Sequence, residues 1–325
     1  PFRTRKSSLS APMVLCLKTW ESRSLPGYEL MKNIIVVTGG AGFVGSNLIG
    51  HFLEKTNKKI ISLDNYSTGS KKNHIKNKRI KYLNSETSKI DLKLSKFKKN
   101  IHTVFHFGEF ARIYQSFNHF DECYDSNTIG TKAVFKFCLD NKIKLIYSAT
   151  SASLGNRGND KNLSPYAFTK SKNLELLENL KKWFNFKFEV IYFYNVYGPK
   201  QIKKGKMATV IGIFENLYKN KKPLTVVKPG SQTRRFTHIK DTIDICYEAW
   251  KKNKSRHYSI SHKKSYSIYE VAKMFKTKII FLKPRKGERY ASALTKISQK
   301  NHIIRKFGKI DLKDYITSFI KDLNL

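Results

Sequence analysis

An α/β fold built on a doubly wound parallel sheet is predicted by three features of this sequence. Short β-branched apolar runs alternate with longer amphipathic stretches from residue 31 onward, a glycine-rich turn joins the first run to a helix, and an aspartate closes the second run. The expected strands cover residues 34–38, 59–63, 79–83, 103–107, 144–148 and 189–193. Between them, apolar residues recur at three- and four-residue spacing over 43–55, 122–141 and 165–184, which predicts helices there. After Asn195 the alternation weakens. Helices are expected at 206–219 and 267–275 around shorter strand-like pieces such as 224–227. This divides the chain into a dinucleotide-binding part over 31–195 and a smaller C-terminal α/β substrate-binding lobe over 196–325, with some of its segments returning to the first part. Residues 1–30 begin without Met and show no sustained period, so they are expected to be a non-native or disordered extension ahead of a start at Met31.

The formal net charge is +39 over 325 residues, from 51 Lys and 12 Arg against 24 acidic residues. Such a balance can mark a nucleic-acid or membrane surface. Here the basic residues are spread in short pairs such as Lys58-Lys59 and Lys221-Lys222, and 23 Asn accompany them, which is the signature of AT-rich codons. No nucleic-acid partner is expected, although the charge should attract phosphates. Cys16, Cys123, Cys138 and Cys246 show neither C-x-x-C spacing nor a matching His pattern, so no metal site and no disulfide framework is expected. No apolar run reaches the length of a membrane helix. The expected setting is a reducing cytoplasm.

The first strand runs into Thr38-Gly39-Gly40-Ala41-Gly42-Phe43-Val44-Gly45. A tight strand-to-helix turn needs positive φ, and a pyrophosphate must reach backbone N–H groups with no Cβ in the way. Asp64-Asn65 follows at the end of the second strand, 19 residues beyond Gly45. A carboxylate there can accept hydrogen bonds from the adenosine ribose and repels a 2′-phosphate, which points to NAD over NADP. The competing role of Asp64 is a turn-forming Asp ahead of Asn65. The expected cofactor contacts are Gly39, Gly42, Phe43, Val44, Gly45, Asp64 and Asn65, on a Rossmann-type sheet.

Tyr166 and Lys170 form Y-x-x-x-K on a helix opened by Ser164-Pro165, with both side chains on one face and a Ser/Thr cluster, Ser148 to Thr150, ending the fifth strand upstream. Together with His106, Asn127, Asn195-Val196-Tyr197-Gly198-Pro199, the segment Gly230 to His238, and Pro284-Arg285-Lys286-Gly287-Glu288, this order resembles the NAD-dependent epimerase/dehydratase family of the extended short-chain dehydrogenases/reductases. The likeness covers nearly everything after Met31.

The resemblance implies an NAD-dependent nucleotide-sugar epimerase, an isomerase that works at C4 through a transient 4-keto sugar. Tyr166 would be the general base, Lys170 would hold the nicotinamide ribose and favour the phenolate, and Thr150 would hydrogen-bond the reacting hydroxyl. Physics supports those roles, because an alcohol yields hydride only as its proton leaves and an unassisted phenol is a poor base at neutral pH. Asn127, Tyr166 and Lys170 would complete the cofactor site; Thr150, Asn195, Arg234 and Arg285 would hold the substrate, with guanidinium groups suited to its diphosphate. A homodimer through helices 122–141 and 165–184 is also implied. Ser151 and Ala152 stand where 4,6-dehydratases carry an Asp-Glu pair, which argues against elimination at C6. A dehydratase, decarboxylase or reductase on a related sugar is the alternative, with a non-catalytic RNA-binding relative as the third reading. Further departures are Leu154-Gly155 for Tyr-Gly, Arg235 and Lys240 where Asp is usual, and Glu109 and Arg112 after the fourth strand. These last two are expected either to alter substrate choice or to pair with each other.

Overall fold

The computed structural model describes residues 32–153, 161–285 and 303–323. The expectations for residues 1–30, Met31, Leu154-Gly155 and Lys286-Gly287-Glu288 lie outside the described residues. From Lys32 on, the chain is one compact unit.

Strands β1 (Ile34–Thr38), β2 (Lys59–Asp64), β3 (Ile80–Asn84), β4 (Ile101–His106), β5 (Lys144–Thr150) and β6 (Phe188–Phe193) form a parallel sheet. Strands β11 (His257–Ser261) and β14 (Ile303–Phe307) join its edge, giving the order β14-β11-β6-β5-β4-β1-β2-β3. The order reverses between β1 and β4. This is the switch point at which open α/β sheets leave a crevice beyond the carboxyl ends of their strands.

Alternation along each strand sends its side chains to two cores. Val36, Leu145, Tyr147 and Val190 face one cluster, and Ile35, Val37, Ile146 and Ile191 face the other. The first face is covered by α2 (Ile90–Leu94), α5 (Thr131–Asp140) and α6 (Pro165–Phe184), where α3 (Gln115–Asn118) and α4 (Phe120–Tyr124) come between α2 and α5 in the chain. The second is covered by α1 (Phe43–Lys55) and α8 (Ile239–Lys252), α7 (Val210–Lys219) lying between α6 and α8. Helices on both faces make the sheet doubly wound.

A third core sits under α7, α9 (Ile268–Met274) and α10 (Leu312–Leu323), around Phe214, Phe236 and Phe275. Two-stranded ribbons lie beside it. Strand β7 (Val196–Tyr197) pairs with β10 (Thr237–His238), β8 (Leu224–Val227) with β13 (Ile279–Leu282), and β9 (Thr233–Arg235) with β12 (Ser265–Ser267).

The expected helix over 122–141 is not continuous. Residues Asp125–Gly130 widen into a π turn between α4 and α5. The extra residue turns Asn127 fully inward, onto the backbone of Phe110 and the Thr169 hydroxyl. The helix expected from residue 206 begins at Val210 instead, because the Thr209 side chain accepts from the Gly212 amide and caps it there. The preceding residues are thereby left free to run along the crevice.

Strand β6 is tied to its surroundings by Glu189, whose side chain is fully buried. It accepts hydrogen bonds from the Ser255 and Arg256 amides at 3.0 and 2.8 Å and stands 3.4 Å from the Lys144 ammonium. Removing one partner of a buried pair strands the other charge, so Glu189→Ala should cost about 3–5 kcal/mol. Chemical denaturation would measure this, and a loss under about 1 kcal/mol would show that the pair contributes little.

Candidate functional site

A cavity of about 910 Å³ opens beyond the carboxyl ends of β1 and β4. One end is the glycine turn. Gly39 has φ +68°, and a β-carbon on it would come within 2.9 Å of the Gly108 backbone, so the two loops at the switch point pass each other with no room for a side chain. A β-carbon on Gly45 would meet the Gly39 carbonyl oxygen at 2.2 Å. Phe43, Val44 and Gly45, the first residues of α1, line the cavity, and that helix carries no acidic residue in its first turn. The arrangement suits a pyrophosphate.

Gly39, Gly42, Phe43, Val44, Gly45, Asp64 and Asn65 all line this end, with Ser67, Thr68, Ser85 and Glu86 beyond them. Asp64 is 7% exposed. Its Oδ2 accepts from the Ala41 amide at 2.9 Å and its Oδ1 from the Tyr66 amide at 2.8 Å. The carboxylate thus braces the glycine turn and forms the turn after β2 while still presenting an edge to the cavity. These residues fit a dinucleotide.

Asn127 is the expected contact that does not line the cavity. It is fully buried, its Oδ1 accepting from the Phe110 amide at 2.7 Å and its Nδ2 donating to the Phe110 carbonyl at 3.0 Å and to Thr169. In this position it fixes the loop after β4.

Thr150, Tyr166 and Lys170 also line the cavity. Thr150 ends β5 and is 8% exposed; its hydroxyl accepts from the Ala152 amide at 3.2 Å. Ser164 caps α6 through the Ala167 amide at 3.1 Å, with Pro165 in its first turn, so Tyr166 and Lys170 stand one turn apart at the cavity wall. Tyr166 packs with Phe110, Cys123, Ile113 and Met207. The Lys170 ammonium donates to the Ser148 carbonyl and to Glu109 Oε2, and it lies 4.5 Å from the Tyr147 ring centroid.

Glu109 and Arg112 do not pair with each other. Arg112 donates to the Met207 carbonyl from Nε at 2.9 Å and from Nη2 at 2.6 Å, and to the Ala111 carbonyl. It therefore clamps the segment ahead of α7 over the cavity. Burial pulls its pKa down, and the neighbouring Tyr166 opposes that shift.

Glu109 Oε1 accepts from the hydroxyls of Thr131 at 3.1 Å and Tyr147 at 3.0 Å, and from Asn173 Nδ2 at 3.3 Å. A carboxylate is acceptor-only, which sets the direction of the chain behind it. Thr131 donates to Glu109, so it accepts from His106 Nε2 at 3.0 Å; His106 Nδ1 then accepts from Thr38 at 2.8 Å. Burial lowers the His106 pKa to about 4, so the ring stays neutral and serves as a link. Sequence reasoning missed Tyr147, Thr131 and Asn173. A signal for Asn173 was present, since 166, 170 and 173 share one face of α6.

Asn195, Arg234 and Arg285 line the cavity as well. Asn195 adopts φ +37° and donates from Nδ2 to the Arg235 carbonyl at 2.7 Å, joining the end of β6 to β9. Arg234 is 8% exposed on β9, and its Nη1 donates to the Thr233 carbonyl. Arg285 lies with its guanidinium carbon 5.2 Å from the Tyr114 ring centroid. Asp241, the acid retained beside Lys240, serves another purpose, accepting from the Lys309 and Ile310 amides and so holding the chain ahead of α10. No helix among the described residues is long and apolar enough to cross a membrane.

Known proteins share this arrangement. The chain is 29% identical over 302 residues to a candidate UDP-glucose 4-epimerase of Methanocaldococcus jannaschii, covering 87% of this chain and 96% of that one. It is also 29% identical over 234 residues to an ADP-L-glycero-D-manno-heptose-6-epimerase of Fusobacterium nucleatum, covering 66% and 70%. The crystal structure of a UDP-glucose 4-epimerase from Thermotoga maritima superposes with a TM-score of 0.78 at 22% identity, over 90% of this chain and 98% of that one. Residues 35–261 match the family described as NAD dependent epimerase/dehydratase, whose cofactor suits the glycine cradle and Asp64. With more than half of its length matched, the chain belongs to the NAD-dependent epimerase/dehydratase family of enzymes.

Proposed function

We propose that this enzyme epimerises a nucleotide sugar at C4 through a transient 4-keto sugar. The observation that carries the reading is the convergence of groups on one cavity, which is lined by the glycine cradle, by Thr150, Tyr166 and Lys170, and by Asn195, Arg234 and Arg285. A sugar bound in this cavity would present its reacting carbon to the hydroxyls of Thr150 and Tyr166.

Bound in the cradle, NAD supplies a hydride acceptor that can return the hydride to the sugar. The glycine turn, Phe43, Val44 and the α1 amides hold its pyrophosphate, and Asp64 with Asn65 holds the adenosine ribose. Thr150 orients the C4 hydroxyl. Tyr166 removes the hydroxyl proton and later returns it to the ketone oxygen, and the Lys170 cation favours its phenolate. Arg234 and Arg285 bind the diphosphate, which leaves the sugar free to turn while the nucleotide stays fixed.

Ser151 and Ala152, buried at the end of β5, offer no carboxyl pair for elimination of water. This favours epimerisation over dehydration.

Proton NMR of the protein with NAD and a panel of UDP-, GDP-, dTDP- and ADP-sugars tests the reading. The expected result is interconversion of one pair of C4 epimers, seen in the anomeric and H4 signals. A 6-deoxy-4-keto product would replace the reading with a dehydratase, and inversion of an ADP-heptose at C6 would move the reacting carbon.

A further inference from the structure

Lys170 and Glu109 are both almost completely buried at the cavity wall, with side chains 4% and 2% exposed, and they are in direct contact. Burial pushes the Lys170 pKa down, and the Glu109 carboxylate pushes it back up. An ammonium in such a place keeps its proton only if an anion compensates the lost hydration. Lys170 also meets the Ser148 carbonyl and the Tyr147 ring on β5 and lies near Cys123 on α4, with Tyr166 one turn before it on the same helix. His106 on β4 is neutral, and burial raises the Cys123 thiol to about 11. The Ser148 carbonyl is neutral, burial raises the Tyr147 phenol as well, and so none of these four brings a negative charge at neutral pH. Glu109 is the anion.

The carboxylate is itself held on several sides. Thr131 and Tyr147 donate hydroxyls to it and Asn173 donates its amide, and Thr131 is backed by the His106 and Thr38 relay into β1. Glu109 follows directly from the Gly108 that packs against Gly39, so the network links the cofactor turn to the working helix.

We infer that Glu109 is a positioning residue for the reaction: its carboxylate keeps Lys170 protonated and fixes the ammonium at the cavity wall, one helical turn from Tyr166. This rests on the reading of Tyr166 and Lys170 as the working pair. Glu109 acts through Lys170. Without the carboxylate, Lys170 gives up its proton at lower pH, and the support it lends the Tyr166 phenolate disappears as pH rises through that lowered value.

Two measurements on Glu109→Gln test this. One is the pH profile of kcat/KM with the converted sugar. The other is an NMR titration of lysine 13Cε–1Hε signals in the NAD-loaded protein, with the Lys170 signal identified by its absence in Lys170→Met. In Glu109→Gln the alkaline limb of the profile and the Lys170 midpoint should both move to lower pH by about one to two units. Glu109→Asp, which draws the carboxylate back by one methylene, should move both in the same direction by less, and carries the test if the Gln variant fails to fold. An unchanged Lys170 midpoint in a folded variant overturns the inference, even if turnover drops. If no sugar reacts at all, the functional reading fails while the NMR titration still decides the role of Glu109.

Discussion

Tyr166→Phe should lower kcat by about 10²–10⁴-fold while binding of NAD and of the nucleotide sugar changes by less than about threefold. The ring stays packed against Phe110, Cys123 and Met207, so the cavity wall is kept and only the hydroxyl is lost. The relay through Glu109 is untouched, because its contacts come from Thr131, Tyr147, Asn173 and Lys170. Without the phenol, the proton of the sugar hydroxyl has no acceptor as hydride leaves, and the barrier rises for the chemical step alone. Single-turnover formation of NADH absorbance with the active sugar would separate this from slow release. Turnover within a factor of two of wild type would remove Tyr166 from the mechanism and shift attention to Thr150 or to water.

Much of this site was legible because local rules and global fold agree at the positions that matter. The turn from β1 to α1 needs glycines that the sequence displays in order, and Ser164-Pro165 announces the start of α6 to the residue. The inner strands β1, β2, β4, β5 and β6 are largely buried on both faces, as strands inside a doubly wound sheet must be. Other parts were hidden for physical reasons. Strand β11, His257–Ser261, buries Ser259 and Ser261 and so carries no continuous apolar run. The break in 122–141 depends on Asn127 finding partners on Phe110 and Thr169, contacts made by residues distant in the chain. Glu109 was visible as an unusual acid after β4, but its partner could not be read from spacing. Arg112 is nearer in sequence, yet Lys170, 61 residues away, is the one the fold brings against it.

Gly45→Ala and Gly50→Ala make the same chemical change in the same helix and should have opposite consequences. At Gly50 the added methyl would find Ile75 Cδ1 at 3.5 Å, an ordinary contact, so the gain in helix propensity prevails and stability should rise by about 0.5–1 kcal/mol. At Gly45 it would lie 2.2 Å from the Gly39 oxygen and 2.8 Å from Gly40 Cα, both backbone atoms that no rotamer change can move. Relief requires the turn itself to shift. The Gly39 carbonyl already accepts the Gly42 amide at 3.1 Å, and the Ala41 amide is bound to Asp64, so displacement of the turn breaks the bonds that shape the cradle. Gly45→Ala should therefore lose about 2 kcal/mol of stability or more and bind NAD about 100-fold more weakly. Calorimetric titration with NAD beside thermal unfolding of both variants reads the contrast. Wild-type affinity for NAD in Gly45→Ala would mean that the pyrophosphate does not sit on this turn, and the cofactor would have to be placed elsewhere along the cavity.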